Sequence, residues 1–323
     1  MNEYRIKAYA KINLGLDVVR RLENGYHEVK MVMQTVGIYD VLDFERTDGG
    51  IVITTDSGEL PTDENNLIYK AAKLMMETYP ISGGVKIHLE KHIPIAAGMA
   101  GGSTDAAATL KGMNRLFDLG CTLKDLMELG VKIGADVPYC VMGGTALAEG
   151  IGEKLTPLAP APDCYVLVAK PDINVSTKYV YEHLDAQEIV KHPDIAGMVE
   201  AIAEESLQGI LDRMENVLET VTVSAYPVIQ TIKDRMKELG AINSLMSGSG
   251  PTVFGIFVEK DMARRAYDKL EEEQRDILLA KYLYKLDDEE FEEQFNTSMR
   301  TIYTYIKEAE IDLAIILGCA VFK

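Results

Sequence analysis

The chain has 323 residues, 47% of them hydrophobic and 26% charged, which is ordinary for a globular protein and long enough for two domains. Its 33 Lys and Arg stand against 51 Asp and Glu, a formal charge of −18, which argues against a broad surface for DNA or RNA. A small anionic ligand stays open, provided backbone N–H groups and a few lysines gather locally inside an acidic molecule.

No apolar stretch follows the basic residues after Met1, so no secretory signal is expected. Strands are predicted over Tyr4–Ala10, Ile12–Val19, Glu28–Val36, Val41–Glu45 and Ile51–Thr55, separated by turns such as Glu23-Asn24-Gly25 and Asp48-Gly49-Gly50. A helix over Leu67–Tyr79 follows, with Ile68, Ala71, Ala72 and Met75 on one stripe and Asp63, Asn65 or Asn66 as its cap. The strand Val85–Glu90 leads into a small-residue segment and a helix from about Ser103 to Phe117. Leu123–Ile133 is a further helix, ending at Gly134. Pro157, Pro160 and Pro162 mark a boundary, giving expected units of 1–158, 159–274 and 275–323. Beyond it come a strand at Tyr165–Ala169 and helices at Thr177–Leu184, Leu207–Val221 and Val228–Leu239. Short strands at Ile242–Met246 and Thr252–Val258 flank a second glycine turn, and a helix covers Asp261–Glu273. Strands and helices mix without strict βαβ alternation, which favours an α+β fold. Cys121, Cys140, Cys164 and Cys319 show no C-x-x-C spacing, so neither a zinc site nor a disulfide framework is indicated. The final apolar run, Ile311–Phe322, is too short to cross a bilayer, so a cytoplasmic protein without membrane contact is expected.

Five segments could carry chemistry, and each also has a bland reading. Pro94-Ile95-Ala96-Ala97-Gly98-Met99-Ala100-Gly101-Gly102-Ser103-Thr104 lets the backbone turn tightly just before a helix, which suits a phosphate, or simply a capped turn. The chain has no Gly-Lys pair, so this is not the common G-x₄-G-K loop. Ser247-Gly248-Ser249-Gly250-Pro251 could be a plain hairpin connection. Gly134-Ala135-Asp136-Val137-Pro138 places an Asp where turn and cap residues are common. Lys11 interrupts an apolar strand, as edge-strand lysines also do. Asn24-Gly25-Tyr26-His27-Glu28 has the composition of an ordinary turn.

Their order is more informative than any one of them. Ala10–Asn13, Gly25-Tyr26-His27, Asn66-Leu67-Ile68, the small-residue loop, Gly134–Pro138 and Ser247–Thr252 together resemble the galactokinase–homoserine kinase–mevalonate kinase superfamily, and within it the branch that phosphorylates a diphosphocytidyl methylerythritol. The resemblance runs from Met1 to about Gln274. It implies a two-lobed α+β kinase with its active site in the cleft between the lobes, using ATP and Mg²⁺ on a small cytidine diphosphate substrate. It implies Asp136 as the catalytic carboxylate and Lys11 beside it. Pro94, Ala96, Ala97, Gly98, Met99, Ala100, Gly101, Gly102, Ser103 and Thr104 would wrap the triphosphate, with Asn66 and Lys91 toward the adenine. Asn13, Thr177, Gly248 and Ser249 would meet the other substrate, Tyr26 and Tyr181 would sandwich its cytosine, and His27 would read the base edge. The metal's ligands stay undetermined. Homoserine- and mevalonate-type kinases are the nearest alternatives, and a non-catalytic ligand-binding relative is a third.

Residues 275–323 match nothing in that pattern. Phe291, Phe295, Met299, Ile302 and Ile306 fall on one helical face, so a packed helix over Asp287–Lys307 and a strand within Ile311–Phe322 are expected at the edge of the second lobe. Removing 275–323 should therefore lower the melting temperature or promote aggregation, while folded protein keeps its KM for ATP. Thermal melts and light scattering check this, and a truncated protein as stable as the full chain would remove the packing claim.

Overall fold

The first strand shows how the molecule is assembled. In the computed structural model, which describes residues 2–171, 173–184, 189, 191–279 and 314–318, β1 (Glu3–Arg21) alternates between exposed and covered residues as far as Ala10, then is buried from Ala10 to Val18. One face of its first half meets solvent, and the later residues are covered on both faces. β1 pairs antiparallel with β2 (His27–Thr47), so the four strands expected here are two long ones. Register shifts at Tyr9/Lys11, Asn13/Gly15 and Val18/Arg20 bend the pair without ending it, which is why the sequence suggested separate pieces.

The first sheet runs β3 (Ile51–Thr55), β4 (Gly84–Glu90), β2, β5 (Thr145–Gly150), β6 (Lys154–Pro157), with β1 joined to β2. β3 and β4 are parallel, and the other pairs are antiparallel. β5 and β6, not anticipated, are short and rich in small and polar residues. Helices α1 (Leu67–Thr78), α2 (Gly101–Phe117) and α3 (Leu123–Val131) share a core with this sheet. Asn66, one of the three caps considered, holds α1 through its side chain on the Ile68 N–H. Thr122 and Asp125 form a reciprocal capping box on α3. The one-turn helix α4 (Val137–Met142) follows, with Pro138 in its first turn.

The second sheet runs β10 (Ala314–Gly318), β7 (Tyr165–Lys170), β9 (Val253–Phe257), β8 (Asn243–Met246), all antiparallel. Around it lie α5 (Thr177–His183), α6 (Ile195–Ala203), α7 (Leu207–Leu211), α8 (Glu219–Ala225), α9 (Val228–Glu238) and α10 (Lys260–Leu279). The helix expected over Leu207–Val221 is broken: α7 stops at Leu211, and Glu215–Val217 lies along β1 instead. There Leu16 N–H donates to Glu215 O at 2.9 Å and Val217 N–H to Leu16 O at 3.0 Å. Long-range backbone pairing outweighs a helical pattern that sequence alone could not overrule. The expected helix over Asp287–Lys307 lies outside the described residues, as do all but Ala314–Gly318 of the expected strand.

The two sheets share their interiors. One core joins Leu16, Val18, Met31 and Met33 to Leu167, Ala169, Ile229 and Phe257, and another joins Ile12, Val32 and Val36 to Val166, Val168, Met198 and Phe254. The α+β architecture expected from the sequence is therefore present, with its two halves fused through β1 and β2.

The third core contains one close approach. A Cβ on Gly112 of α2 would stand 2.5 Å from Phe44 Cζ. Helix propensity would favour Gly112→Ala by about 1 kcal/mol, but overpacking a buried ring costs about 1–3 kcal/mol. The variant should therefore be less stable, with a lowered urea midpoint. A raised midpoint would show that the Phe44 ring yields freely.

Candidate active site

The small-residue loop adopts an unusual backbone. Ala96, Gly98 and Ala100 have φ of 52°, 70° and 57°, while the residues between them do not take the left-handed conformation. Such alternation turns successive N–H groups to one side and makes a concavity for an anion. Two alanines held there cost about 1 kcal/mol each relative to ordinary conformations. Ala97 and Met99 send their side chains into the core, so they would contribute only backbone to a ligand. α2 begins at Gly101 with no side-chain cap at Ala100, leaving its first-turn N–H groups for a ligand or solvent. Ser103 is half-buried in that turn. Thr104 is buried, and its hydroxyl donates to Tyr9 O at 2.8 Å, so its side chain is engaged within the fold.

Lys11 is 5% exposed and satisfied by two acceptors, Asn13 Oδ1 at 2.8 Å and Gly98 O at 3.1 Å. The same carbonyl accepts Ser247 Oγ–H at 3.0 Å, so the first loop and the second glycine turn meet at one atom. Gly248, at φ 58°, lies against it: a Cβ there would be 3.1 Å from Gly98 O and 3.7 Å from Asn13 Oδ1. Asp136 stands at the start of α4, half-buried, with no hydrogen bond to its carboxylate among the described residues. Among the described residues Lys11 makes no ion pair with Asp136, its ammonium being turned to Asn13 and Gly98. Both charges nonetheless bear on the Cys140 thiol, which burial pushes up, with Asp136 adding to the rise and Lys11 opposing it.

On the other side of the loop, Asn66, Lys91, Pro94, Ala96, Gly101 and Gly102 line one pocket of about 200 Å³. Lys91 Nζ there bridges Asp40 Oδ2 at 2.6 Å and Asp105 Oδ2 at 2.7 Å. Asn66 spends its side chain on the Ile68 N–H and on Pro61 O.

The expected base-binding residues separate. His27 and Tyr181 are in ring contact, with centroids 5.1 Å apart, whereas Tyr26 is 60% exposed. Burial and the Arg21 charge hold the His27 imidazole below its ordinary range, which keeps it neutral near pH 7. Burial, with Asp136 adding, pushes the Tyr181 phenol up. Tyr181 and the Asp136 carboxylate are thus electrostatic neighbours. Thr177, at the start of α5, shares a hydrogen bond with Ser249 Oγ at 2.9 Å, tying that helix to the glycine turn.

Three residues important to this arrangement escaped the sequence reading. Asn216 donates to both Met246 O and Gly248 O at 2.8 Å and accepts from the Leu218 N–H, so it holds the turn's shape. Nothing in its local sequence marks it. Asp40 and Asp105 flank Lys91; Asp105 directly follows the small-residue loop, and Asp40 falls between two of the expected strands. Among the described residues no group of three or more His, Cys, Asp or Glu could hold a metal ion.

Comparison with known proteins now applies to this geometry. The GHMP kinases N terminal domain matches residues 66–144, and the GHMP kinases C terminal region matches 198–276. A 4-diphosphocytidyl-2-C-methyl-D-erythritol kinase of Lachnospira eligens is 59% identical over 261 residues, covering 80% of this chain and 91% of that protein. The protein of that name from Lachnoclostridium phytofermentans is 55% identical, covering 83% and 92%. A crystal structure of 4-(cytidine 5'-diphospho)-2C-methyl-D-erythritol kinase superposes with a TM-score of 0.73 at 35% identity, over 83% of this chain and 96% of that one. A homoserine kinase of Cytophaga hutchinsonii shares the fold, with a TM-score of 0.72 at 18% identity over 99% of this chain and 95% of that one.

The contact at Gly98 is open to direct test. A Cβ there would be driven into the Ser247 carbonyl. Gly98→Ala should cost at least about 1 kcal/mol from its left-handed backbone alone, and should push the Ser247 turn away. A lower melting temperature, with faster amide exchange at Ser247 and Gly250, is the expected result. Unchanged exchange would mean that loop and turn are not held together here.

Proposed function

The chain belongs to the 4-diphosphocytidyl-2-C-methyl-D-erythritol kinase family of the GHMP kinases, and from that membership we propose that it transfers the γ-phosphoryl group of ATP to the 2-hydroxyl of 4-diphosphocytidyl-2-C-methyl-D-erythritol, a step in non-mevalonate isoprenoid precursor biosynthesis. The observation that supports this site most is the convergence of Lys11, Asn13, Gly98 and the Ser247–Ser249 turn, with Asp136 left free of hydrogen bonds nearby.

The roles follow from what phosphoryl transfer needs, which is positioning and charge stabilisation. The left-handed alternation in the loop and the uncapped start of α2 offer backbone N–H groups to the triphosphate. Mg²⁺ would arrive on the nucleotide and neutralise part of its charge; no protein ligand set is assigned to it. The acceptor is a tertiary alcohol, a poor nucleophile until its proton begins to leave. Asp136, with no hydrogen bond competing for its carboxylate, takes that proton as the oxygen bonds to the γ-phosphorus and ADP departs. Lys11 is close enough to the loop to stabilise the charge developing on the transferred group. Its partner Asn13, fully buried with its amide nitrogen on Met31 Sδ, holds that lysine in place.

Tyr26, His27 and Tyr181 hold the cytosine in this reading. The His27–Tyr181 contact supplies one wall, and Tyr26, the residue before His27, closes over the other face. Neutral His27 can both donate and accept along the base edge. Thr177 and Ser249 stand where the diphosphate would lie. Mevalonate and homoserine carry no base, so those activities would leave this ring group without a purpose. We further propose that residues 1–158 carry the nucleotide side and 159–274 close over the substrate, and that the enzyme works in the cytoplasm.

Incubating purified protein with ATP, Mg²⁺ and the diphosphocytidyl substrate, with mevalonate and homoserine as controls, tests the function. Product from either control and none from the diphosphocytidyl compound would refute it. Asp136→Asn keeps the shape but cannot accept a proton, so kcat should fall at least ~10²-fold. ATP affinity should stay close to that of the wild type, measured by calorimetry. Undiminished turnover in that variant would take the carboxylate out of the mechanism.

A further inference from the structure

Lys91 lies between two carboxylates in a place that water hardly reaches. The Lys91, Asp40 and Asp105 side chains are 6%, 0% and 4% exposed. One ammonium cannot balance two anions, so with both carboxyls ionised the cluster would hold an uncompensated buried charge. The two carboxyls are not equivalent. Asp40 Oδ1 accepts the backbone N–H groups of His92 and Ile93 at 2.6 and 2.7 Å, contacts that favour its ionised form. Asp105 Oδ1 is buried and accepts no hydrogen bond among the described residues. A proton on Asp105 therefore displaces no hydrogen bond, and the Asp40 carboxylate lies within reach to accept it.

We propose that Asp105 is a neutral carboxylic acid in the working enzyme, a positioning residue that lets Lys91 and Asp40 form a balanced pair beside the nucleotide. The inference rests on reading the 200 Å³ pocket lined by Asn66, Lys91, Gly101, Gly102 and Asp105 as the nucleotide site. Gly101 packs against the ammonium, where a Cβ would stand 3.1 Å from Nζ. Two of the three Lys91 donors are taken by the carboxylates, leaving one for a ligand. While Asp105 keeps its proton, a polyanion entering the pocket meets no unbalanced negative charge. Ionising Asp105 places one beside it.

The electrostatics agree in direction. Burial pushes the Asp105 carboxyl up to about 8, with Lys91 opposing and Asp40 adding to the rise. Burial disfavours the Lys91 charge, but Asp105 and Asp40 outweigh it and the ammonium is kept. Of the elements packed on α2, β2 brings Asp40 to this carboxyl, and Lys91 comes from just after β4. α1, β1, α3 and α4 bring no charged group that acts on it. An acid whose folded pKa is raised contributes stability below its unfolded pKa, and that contribution is lost as pH rises through about 8. Nucleotide affinity should weaken over the same alkaline limb.

Full-length protein with ¹³C-labelled aspartate carboxyls provides the test. The signal missing from Asp105→Asn should titrate near pH 8 without any nucleotide present. If Asp105→Asn does not fold, Asp40→Asn serves instead, since losing that charge should lower the midpoint of the high-titrating signal. An Asp105 signal in the ordinary carboxylate range would overturn the proposal and leave the kinase reading untouched. In parallel, the wild-type KM for ATP should rise at least ~3-fold between about pH 7 and about pH 9, and in Asp105→Asn it should stay flat. A wild-type alkaline rise in that variant would overturn the positioning role. A neutral Asp105 with no change in the wild-type KM would refute the pocket as the nucleotide site.

Discussion

The Gly98 carbonyl is the atom on which the candidate active site depends. It accepts hydrogen bonds from Lys11 of β1 and from Ser247 of the distant glycine turn, so one oxygen sets the distance between two sheets' loops. Only a residue without a side chain can bring it there. At φ 70° a Cβ would also strike the Ser247 carbonyl, and Gly248 meets the same oxygen from the other side. The ammonium of Lys11 is thereby fixed in position without a carboxylate partner, which leaves Asp136 unencumbered. A directly paired lysine and aspartate would each compete with the acceptor hydroxyl.

The same contact lies between two of the bends in β1. Lys11 and Asn13, two residues apart and regularly paired with Thr35 and Met33, share one face of the strand. The shifts at Tyr9/Lys11 and Asn13/Gly15 bracket that pair, while the strand continues into the cores shared by the two sheets. Because two cores join the sheets, strain held in the left-handed loop is opposed by packing. Asn216 completes the brace by tying the segment beside β1 to the turn at Met246 and Gly248. Catalytic geometry here is a property of backbone positions that several elements hold at once.

Charge is handled by locality. In the proposed reading a chain with a net charge of −18 receives a triphosphate and a diphosphate through groups gathered locally. Backbone N–H groups and a helix start provide partial positive charge that costs no net charge elsewhere. Where full charges are buried, as at Lys91, they are matched by carboxylates so closely that the balance of protons becomes part of the site.

The sequence alone determined the order of motifs, the small-residue loop, the α+β mixture and most helices, because these depend on local backbone freedom and on periodicity. It identified Lys11, Asp136 and the glycine turn as members of one constellation through resemblance. It misjudged the continuity of β1 and β2, missed β5, β6, α4 and α6, and extended a helix through Asn216. Those features arise from pairing and packing between residues far apart in the chain, which no local pattern records. Tertiary structure alone decided that Lys11 turns to Gly98 rather than Asp136, and that His27 rather than Tyr26 packs against Tyr181. It also decided that Asp40 and Asp105 share one lysine, because an interior charge takes its meaning from neighbours that only the fold assembles.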